Sequence, residues 1–497
     1  MQIDIKLLRN KVIGNPFEKT KYITNGTYDQ MLTSLSSISN EIMLQHTLIF
    51  LSSCLLMPQA TITQRQTEQI WTLFQLAESD ETKICAAKCL RSIFDHNQFK
   101  VSQNHIESII DSIKPQNELS SFKLVLVLCE LLSKICKTKS HQSLVANSGG
   151  MTKLIGLLSS DNPKLVSSCL QALSAILKEN KEIAMDVMAL TVQMGNESVK
   201  ITQLLLSLVK SMSSNTDKLV VCSCIVNLYA VNVAKDLLRD INLVILPTLV
   251  KLLGTEVNYK AALVLAYLTA GSEELQKSAC EAEAIPKLAQ AIKLTTDDIT
   301  ENDILHIEAS LTALAAIASL REDCRKKVID TKVLNVINKL LSSPSDAIRS
   351  SACQLTRSLS RSVKTLRTAL VDASIVKPIL LLLKDPSDDV KISACATLCN
   401  IVLDFSPVKD EVVCSSGIEQ LVVLVNSTNI KLRLNAIWAL KNLVYQSKSE
   451  LKQHVMTSLS WKKLLKLTND DAQIQEHAMN LIRNLACMEE NVFFVLI

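Results

Sequence analysis

Glycine and proline are scarce, 9 and 10 among 497 residues, where average usage is about 7% and 5%. The residues that build tight turns and strand corners are therefore missing. This disfavours a large sandwich, a barrel or a nucleotide fold with a glycine-rich loop. Aromatic residues are also few, at 4% of a chain that is 48% hydrophobic. The buried surface must come from Leu, Ile, Val, Ala and Cys, which suit closely packed helices. Charge of one sign is lacking too, since 53 basic residues face 49 acidic ones and leave +4. That field is too weak to recruit nucleic acid or an anionic bilayer by counterion release. Nor is there a long apolar run. The longest uncharged stretch near the middle, 219–234, falls short of the roughly 20 residues a membrane span needs and contains Asn227 and Asn232.

The opening MQIDIKLLRNKVIG breaks its apolar residues with charges, so no signal peptide is expected. Fifteen cysteines, an odd number, are scattered through apolar runs such as VVCSCIV at 220–226. They read as small core residues of a reducing compartment. The expected location is cytoplasm and nucleus, which makes the sequons at Asn25, Asn196 and Asn426 incidental.

Motifs for chemistry are absent from the sequence. The seven histidines, at 46, 96, 105, 141, 306, 454 and 477, form no His-Glu-x-x-His. There is no pair of Cys-x-x-Cys knuckles and no phosphate-binding glycine loop. Cys222 with Cys224, and Cys395 with Cys399, lie in apolar helical runs and read as buried thiols rather than metal ligands. The expectation is a protein with no catalytic residues, no cofactor and no metal.

What the chain does have is a repeat. SACQLTRSLSRS (351–362), SACATLCNIVLD (393–404), NAIWALKNLVYQ (435–446) and HAMNLIRNLACM (477–488) each begin 42 residues after the last. One column holds Ala352, Ala394, Ala436 and Ala478, small wherever a neighbouring backbone must come close. Seven positions on stand Leu359, Ile401, Leu443 and Leu485, two turns along the same helical face. A preceding helix repeats its own stripe in Leu334/Ile337/Leu341, Val376/Ile379/Leu383 and Ile418/Leu421/Val425. Between the two helices, Pro344-Ser345-Asp346 and Pro386-Ser387-Asp388 supply a stop and a cap.

The column before the Leu/Ile position reads Ser358, Asn400, Asn442 and Asn484. Matching the hydrophobic frame extends it back through Ala316, Tyr267, Asn227, Ala175, Lys134, Ser92, Ser53 and Asn10. About eleven whole units of ~42 residues, with a partial one at the N-terminus, account for the chain. The reading is one domain over 1–497, comprising N-terminal repeats to 294, a polar loop at 295–303 and regular repeats over 304–497. An irregular helical bundle has no reason to hold register over four consecutive units.

Periods near 42 with two or three helices are the armadillo and HEAT range. GIEQLVVLVNSTNIKLRLNAIWALKNLV at 417–444 resembles an armadillo repeat, including the Trp-x-x-x-Asn pair Trp438 and Asn442. The resemblance implies an all-α, right-handed armadillo-repeat α-solenoid superhelix with that pair on the third helix, facing an inner groove. RNKVIGN at 9–15, LRSIF at 90–94, LAYLTAGSEELQ at 265–276, REDCRKKVI at 321–329, SLSRSVKTLR at 358–367, LCNIVLDFSPVKDE at 398–411 and NAIWALKNL at 435–443 add to it. Together, and in this order, they are similar to the armadillo scaffold subunits of the CTLH ubiquitin ligase, called the GID complex in yeast. The likeness is strongest after 305 and weak between 140 and 250. It implies a non-catalytic adaptor in proteasomal degradation, whose protein partners are LisH/CTLH-domain subunits and a substrate receptor. The family's solenoid continues for several more repeats, whereas this sequence ends at NVFFVLI and reads as shortened.

In such a stack the column becomes a ladder along a groove. Asn400, Asn442 and Asn484, preceded by Ser358, could offer donor and acceptor to a peptide main chain, or could merely bridge neighbouring helices. Trp438 and Tyr445 could form a side-chain pocket beside a rung, or pack in the core. Arg357, Lys441 and Arg483, one residue before rungs, would favour an acidic peptide or a chain-terminal carboxylate, or form an ordinary solvated face. Trp71 and Trp461 fall in second-helix positions and read as structural. Importin-α-like carriage of basic peptides wants Trp-x-x-x-Asn on many rungs with acids beside them, and a catenin-like adaptor wants a long regular basic groove. The ladder supports neither well.

Overall fold

The computed structural model describes residues 5–96, 99–114, 122–194, 197–231, 237–294, 300–361, 369–370, 372–403 and 406–486. Twelve helices among them carry the rungs of the repeat. They are α1 (Ile5–Val12), α2 (Glu41–Cys54), α3 (Asp80–His96), α4 (Phe122–Ile135), α5 (Pro163–Leu177) and α6 (Asn215–Tyr229), then α7 (Asn258–Thr269), α8 (Glu301–Ile317), α9 (Asp346–Ser360), α10 (Asp388–Ile401), α11 (Ile430–Val444) and α12 (Ala472–Ala486). The chain divides into two compact units, Met1–Asp240 and Ile241–Ile497. In the first, α1 to α6 pack each on the next in chain order, and in the second α7 to α12 do the same. Neighbours in sequence are thus neighbours in space, the one-dimensional stacking of a repeat protein.

A repeat in the second unit has three helices. Glu322–Asp330 and Leu334–Leu340 precede α9, and Ser449–Leu459 and Trp461–Leu467 precede α12. The turns into α9 and α11 are capped from their own sequence. Ser345 accepts from Ile348 N–H at 3.4 Å, and Asn429 accepts from Lys431 N–H at 3.0 Å. Ser387 also stands at a helix start but makes no side-chain cap, and its N–H donates instead to Asp385 Oδ1 at 2.9 Å.

The small-residue column packs as its spacing requires. Ala352, Ala394, Ala436 and Ala478 are all fully buried, and Leu359, Ile401, Leu443 and Leu485 are buried beside them. A larger residue in the alanine column would overpack the contact between layers. Cys222, Cys224, Cys395 and Cys399 are buried as well. Burial pushes the thiols of Cys222, Cys224 and Cys399 up to about 12 and that of Cys395 well above the ordinary value, so they stay protonated.

Arginines bind the layers together at their edges. Arg349 reaches Asp385 of the next repeat with Nε–Oδ2 at 2.7 Å and Nη2–Oδ1 at 3.0 Å. Its Nη1 donates to the turn carbonyls of Ser343 and Pro344, both at 2.9 Å. Arg433 repeats the device, bidentate on Asp470 and donating to the carbonyls of Ser427 and Thr428. Each guanidinium therefore ties its own turn to the following repeat.

Two features depart from the sequence reading. Thr191–Met194 pairs antiparallel with Glu197–Lys200, a short ribbon in an otherwise helical chain. Thr191, Val192 and Val199 are β-branched residues that suit it. The expected polar loop at 295–303 is also shorter at its end. Thr300 caps α8 by accepting from Asp303 N–H at 3.3 Å while Asp303 Oδ2 accepts from Thr300 N–H at 2.9 Å, so 301–303 is the first helical turn. Residues 295–299 and the terminal NVFFVLI lie outside the described residues.

Candidate functional site

All the rung positions from Asn10 to Asn484 fall on the twelve helices α1 to α12, near their C-terminal ends. The last carbonyls of a helix have no partner within it. In the second unit the rungs supply one. Ser358 Oγ donates to Ala315 O at 2.9 Å, Asn442 Nδ2 to Cys399 O at 2.7 Å and Asn484 Nδ2 to Lys441 O at 3.1 Å. Asn400 Nδ2 is shared between Arg357 O at 3.4 Å and Ser360 Oγ at 3.1 Å. The carbonyl acceptors Ala315, Arg357, Cys399 and Lys441 each lie one residue before the preceding rung, so these four rungs, Ser358, Asn400, Asn442 and Asn484, cap the helix of the layer before them. The donor half of each carboxamide is used inside the protein, and the oxygen half is left over. In the first unit Asn227 bonds Ser223 O of its own helix at 2.9 Å instead.

Around the last rungs lies a cavity of about 380 Å³ lined by Leu403, Lys441, Asn442, Tyr445, Asn480, Arg483 and Asn484. The structure thus brings Lys441, Asn442, Tyr445, Arg483 and Asn484 together. Tyr445 is 38% exposed and ends α11, its carbonyl held by Lys409 Nζ at 2.6 Å. Trp438 does not line this cavity. Its ring stacks on His477 with centroids 4.9 Å apart, and Lys441 Nζ stands over the ring, 5.6 Å from its centroid. The aromatic pair is therefore split between an inter-repeat stack and an open wall.

The lining of this cavity holds two cations, Lys441 and Arg483, and no carboxylate. Burial lowers the Lys441 ammonium from its ordinary range, with Arg483 adding to the fall and Cys399 and Glu476 opposing it. Burial also lowers His477, and Lys441 lowers it further, so the imidazole beside Trp438 is neutral at pH 7. An anionic group entering here would meet two cations and two rungs with free carboxamide oxygens.

Arg357 and Ser358 lie elsewhere in the same unit, in a cleft of about 720 Å³ over α7 to α11. Leu263, Tyr267, Gln354, Arg361, Asp389 and Lys431 line it too. None of these but Tyr267 was singled out from sequence. The legible signal was Arg361 four residues after Arg357, on the same helical face. Trp71 is fully buried, stacked on His105 at 4.5 Å, as a structural residue should be. Trp461 is half-buried at the start of its short helix. Among the described residues no group of three or more His, Cys, Asp or Glu is placed to hold a metal ion, and no helix is long and apolar enough to cross a membrane.

Stacked three-helix layers with a rung ladder define the chain as an armadillo-repeat α-solenoid, and the armadillo/beta-catenin-like repeat model matches residues 405–445. The crystal structure of an engineered protein superposes with a TM-score of 0.58, at 21% identity, covering 85% of this chain and 99% of that one, which supports the fold. In sequence the chain is similar to armadillo repeat-containing protein 8. The protein of that name from Mus musculus is 26% identical over 386 residues, 73% of this chain and 56% of the relative. That from Danio rerio is 27% identical over 393 residues, with the same coverage of 73% and 56%. GID complex subunit 5 of Schizosaccharomyces pombe is 29% identical over 180 residues, 31% of this chain and 23% of the relative. The chain spans a little over half the length of the armadillo repeat-containing proteins 8 it matches.

Proposed function

We propose that this chain is a non-catalytic scaffold subunit of a CTLH/GID-type ubiquitin ligase, acting in cytoplasm and nucleus. It links LisH/CTLH-domain subunits to a substrate receptor, so that the receptor's cargo is ubiquitinated and degraded. The observation that carries the reading is collinear similarity to armadillo repeat-containing protein 8 together with similarity to a GID complex subunit. The cavity of Lys441, Asn442, Tyr445, Arg483 and Asn484 is the site offered to the receptor, and its cations suit an acidic segment or a chain-terminal carboxylate. A rigid solenoid contributes geometry: it holds the receptor at a fixed offset from the transfer subunits and raises the effective concentration of substrate there.

Affinity purification of the tagged chain, followed by mass spectrometry, tests the assignment. Recovery of LisH/CTLH subunits and a receptor is expected. Recovery of neither would remove the ligase assignment and leave the armadillo fold.

A further inference from the structure

The cleft over α7 to α11 has small residues in its lining, among them Ala266, Ala270, Ala315 and Ala316. One wall is apolar and open, with Leu263 at 45% and Tyr267 at 42% exposure. On the same cleft stand Arg357 and Arg361, one helical turn apart. Like charges at this spacing repel. The Arg357 Nε is buried without a hydrogen-bond partner, and among the described residues no carboxylate pairs with the guanidinium. Arg361 spends Nη1 on Ser319 O at 3.3 Å. Burial, Arg357 and Arg325 together lower it from the ordinary guanidinium range. Arg325 itself is satisfied, bonded to Glu322 and to the carbonyls of Ala318 and Ser319. Asp389 and Lys431 also line the cleft.

We propose that this cleft receives a phosphorylated serine or threonine in an extended segment of a partner protein, its phosphate held by Arg357 and Arg361 and an adjoining apolar side chain laid on Leu263 and Tyr267. A phosphate carries close to two negative charges and three acceptor oxygens, which matches two guanidinium groups, one of them with donors to spare beyond its bond to Ser319. A single carboxylate would leave one arginine uncompensated. Phosphomotif capture by arginine clusters is an established mode of peptide recognition. The proposal takes from the groove reading only that this face binds protein, and it does not need the ligase assignment.

The test uses the full chain on immobilised degenerate peptide pools with apolar flanks, centred on phosphoserine, serine or glutamate. About tenfold greater retention on phosphoserine than on serine or glutamate is expected, a difference of one decade in affinity. Arg357→Gln with Arg361→Gln should abolish the preference, and Lys441→Gln with Arg483→Gln should keep it. Arg357→Lys with Arg361→Lys keeps the charge without the forks and should lose most of the retention. This second pair decides the matter if the glutamine pair fails to fold. Equal retention on the glutamate and phosphoserine pools overturns the proposal, as does equal loss in the Lys441/Arg483 variant. Displacement by single-stranded RNA with the same arginine dependence, in place of any phosphopeptide preference, also overturns it. Loss of ligase subunits from a pull-down with the phosphopeptide preference intact would sink the ligase reading alone.

Discussion

Asn442 Nδ2 donates to the backbone oxygen of Cys399 at 2.7 Å, across a sequence separation of 43. The same separation joins Ser358 to Ala315 and Asn484 to Lys441. A rung is thus a C-cap for the preceding layer before it is anything else. Asn442→Ala leaves a buried carbonyl without its donor and should cost about 1–2 kcal/mol of stability. Urea denaturation should show a lower midpoint for this variant, while Lys441→Gln changes stability by less than about 0.5 kcal/mol. Equal midpoints for Asn442→Ala and the native chain would mean the bond contributes nothing.

The Arg349–Asp385 pair should matter in the same way. Burial pushes the Asp385 carboxyl up, but the Arg349 hydrogen bonds and charge, with the Ser387 N–H, bring it below the usual carboxylate range. Arg349→Ala removes four bonds and strands a carboxylate only 5% exposed. The expected loss is about 2–3 kcal/mol, read as an earlier thermal transition of the repeats around α9. Arg349→Lys should recover only part of it, since an ammonium cannot make the bidentate pair.

The alanine column predicts overpacking. Ala394 and Ala436 are fully buried where α10 and α11 meet their neighbours. Either alanine replaced by Leu should cost about 1–3 kcal/mol, seen in chemical denaturation, because the layers cannot separate without losing contact elsewhere. A neutral result would show that the layers are not close-packed at that column.

Two tryptophan–histidine stacks set a pH dependence. His477, stacked on Trp438, is lowered by burial and by Lys441, and His105, stacked on Trp71, is lowered by burial against the opposing pull of Glu68. A histidine lowered on folding binds its proton more readily when unfolded. Its contribution is complete above the ordinary histidine value of about 6.5 and is lost as pH falls through the lower folded value. Stability measured between pH 7.5 and 5 should therefore decline toward acid, by an amount of order 1 kcal/mol per group or less. His477→Phe should flatten the part of the decline that follows Trp438 fluorescence.

Much of the architecture was legible because a solenoid repeats its chemistry. Ala352, Ala394, Ala436 and Ala478 share one environment, so period alone placed them, and Ser345 announced the start of α9. The ribbon at Thr191–Lys200 was not legible, since a few β-branched residues between long helices give no period. For the groove, the positions of Asn400, Asn442 and Asn484 could be read, but how their amides are used could not. Bridging and peptide binding need the same residue type, and only the location of the preceding helix end distinguishes them. Spacing on one helix does not reveal His477 from the next layer, which stacks on Trp438 while Tyr445 lines the cavity. The cleft of Arg357 and Arg361 was partly hidden because its walls come from α7 to α11, far apart in sequence.

The most direct test compares the native chain with Lys441→Glu combined with Arg483→Glu, which spares every rung bond, in quantitative co-purification from cells. The account predicts that LisH/CTLH subunits are recovered in equal amount with both chains, that the substrate receptor is reduced at least about tenfold with the variant, and that circular dichroism is the same. Undiminished receptor recovery with the reversed charges would contradict the assignment of the receptor to this cavity.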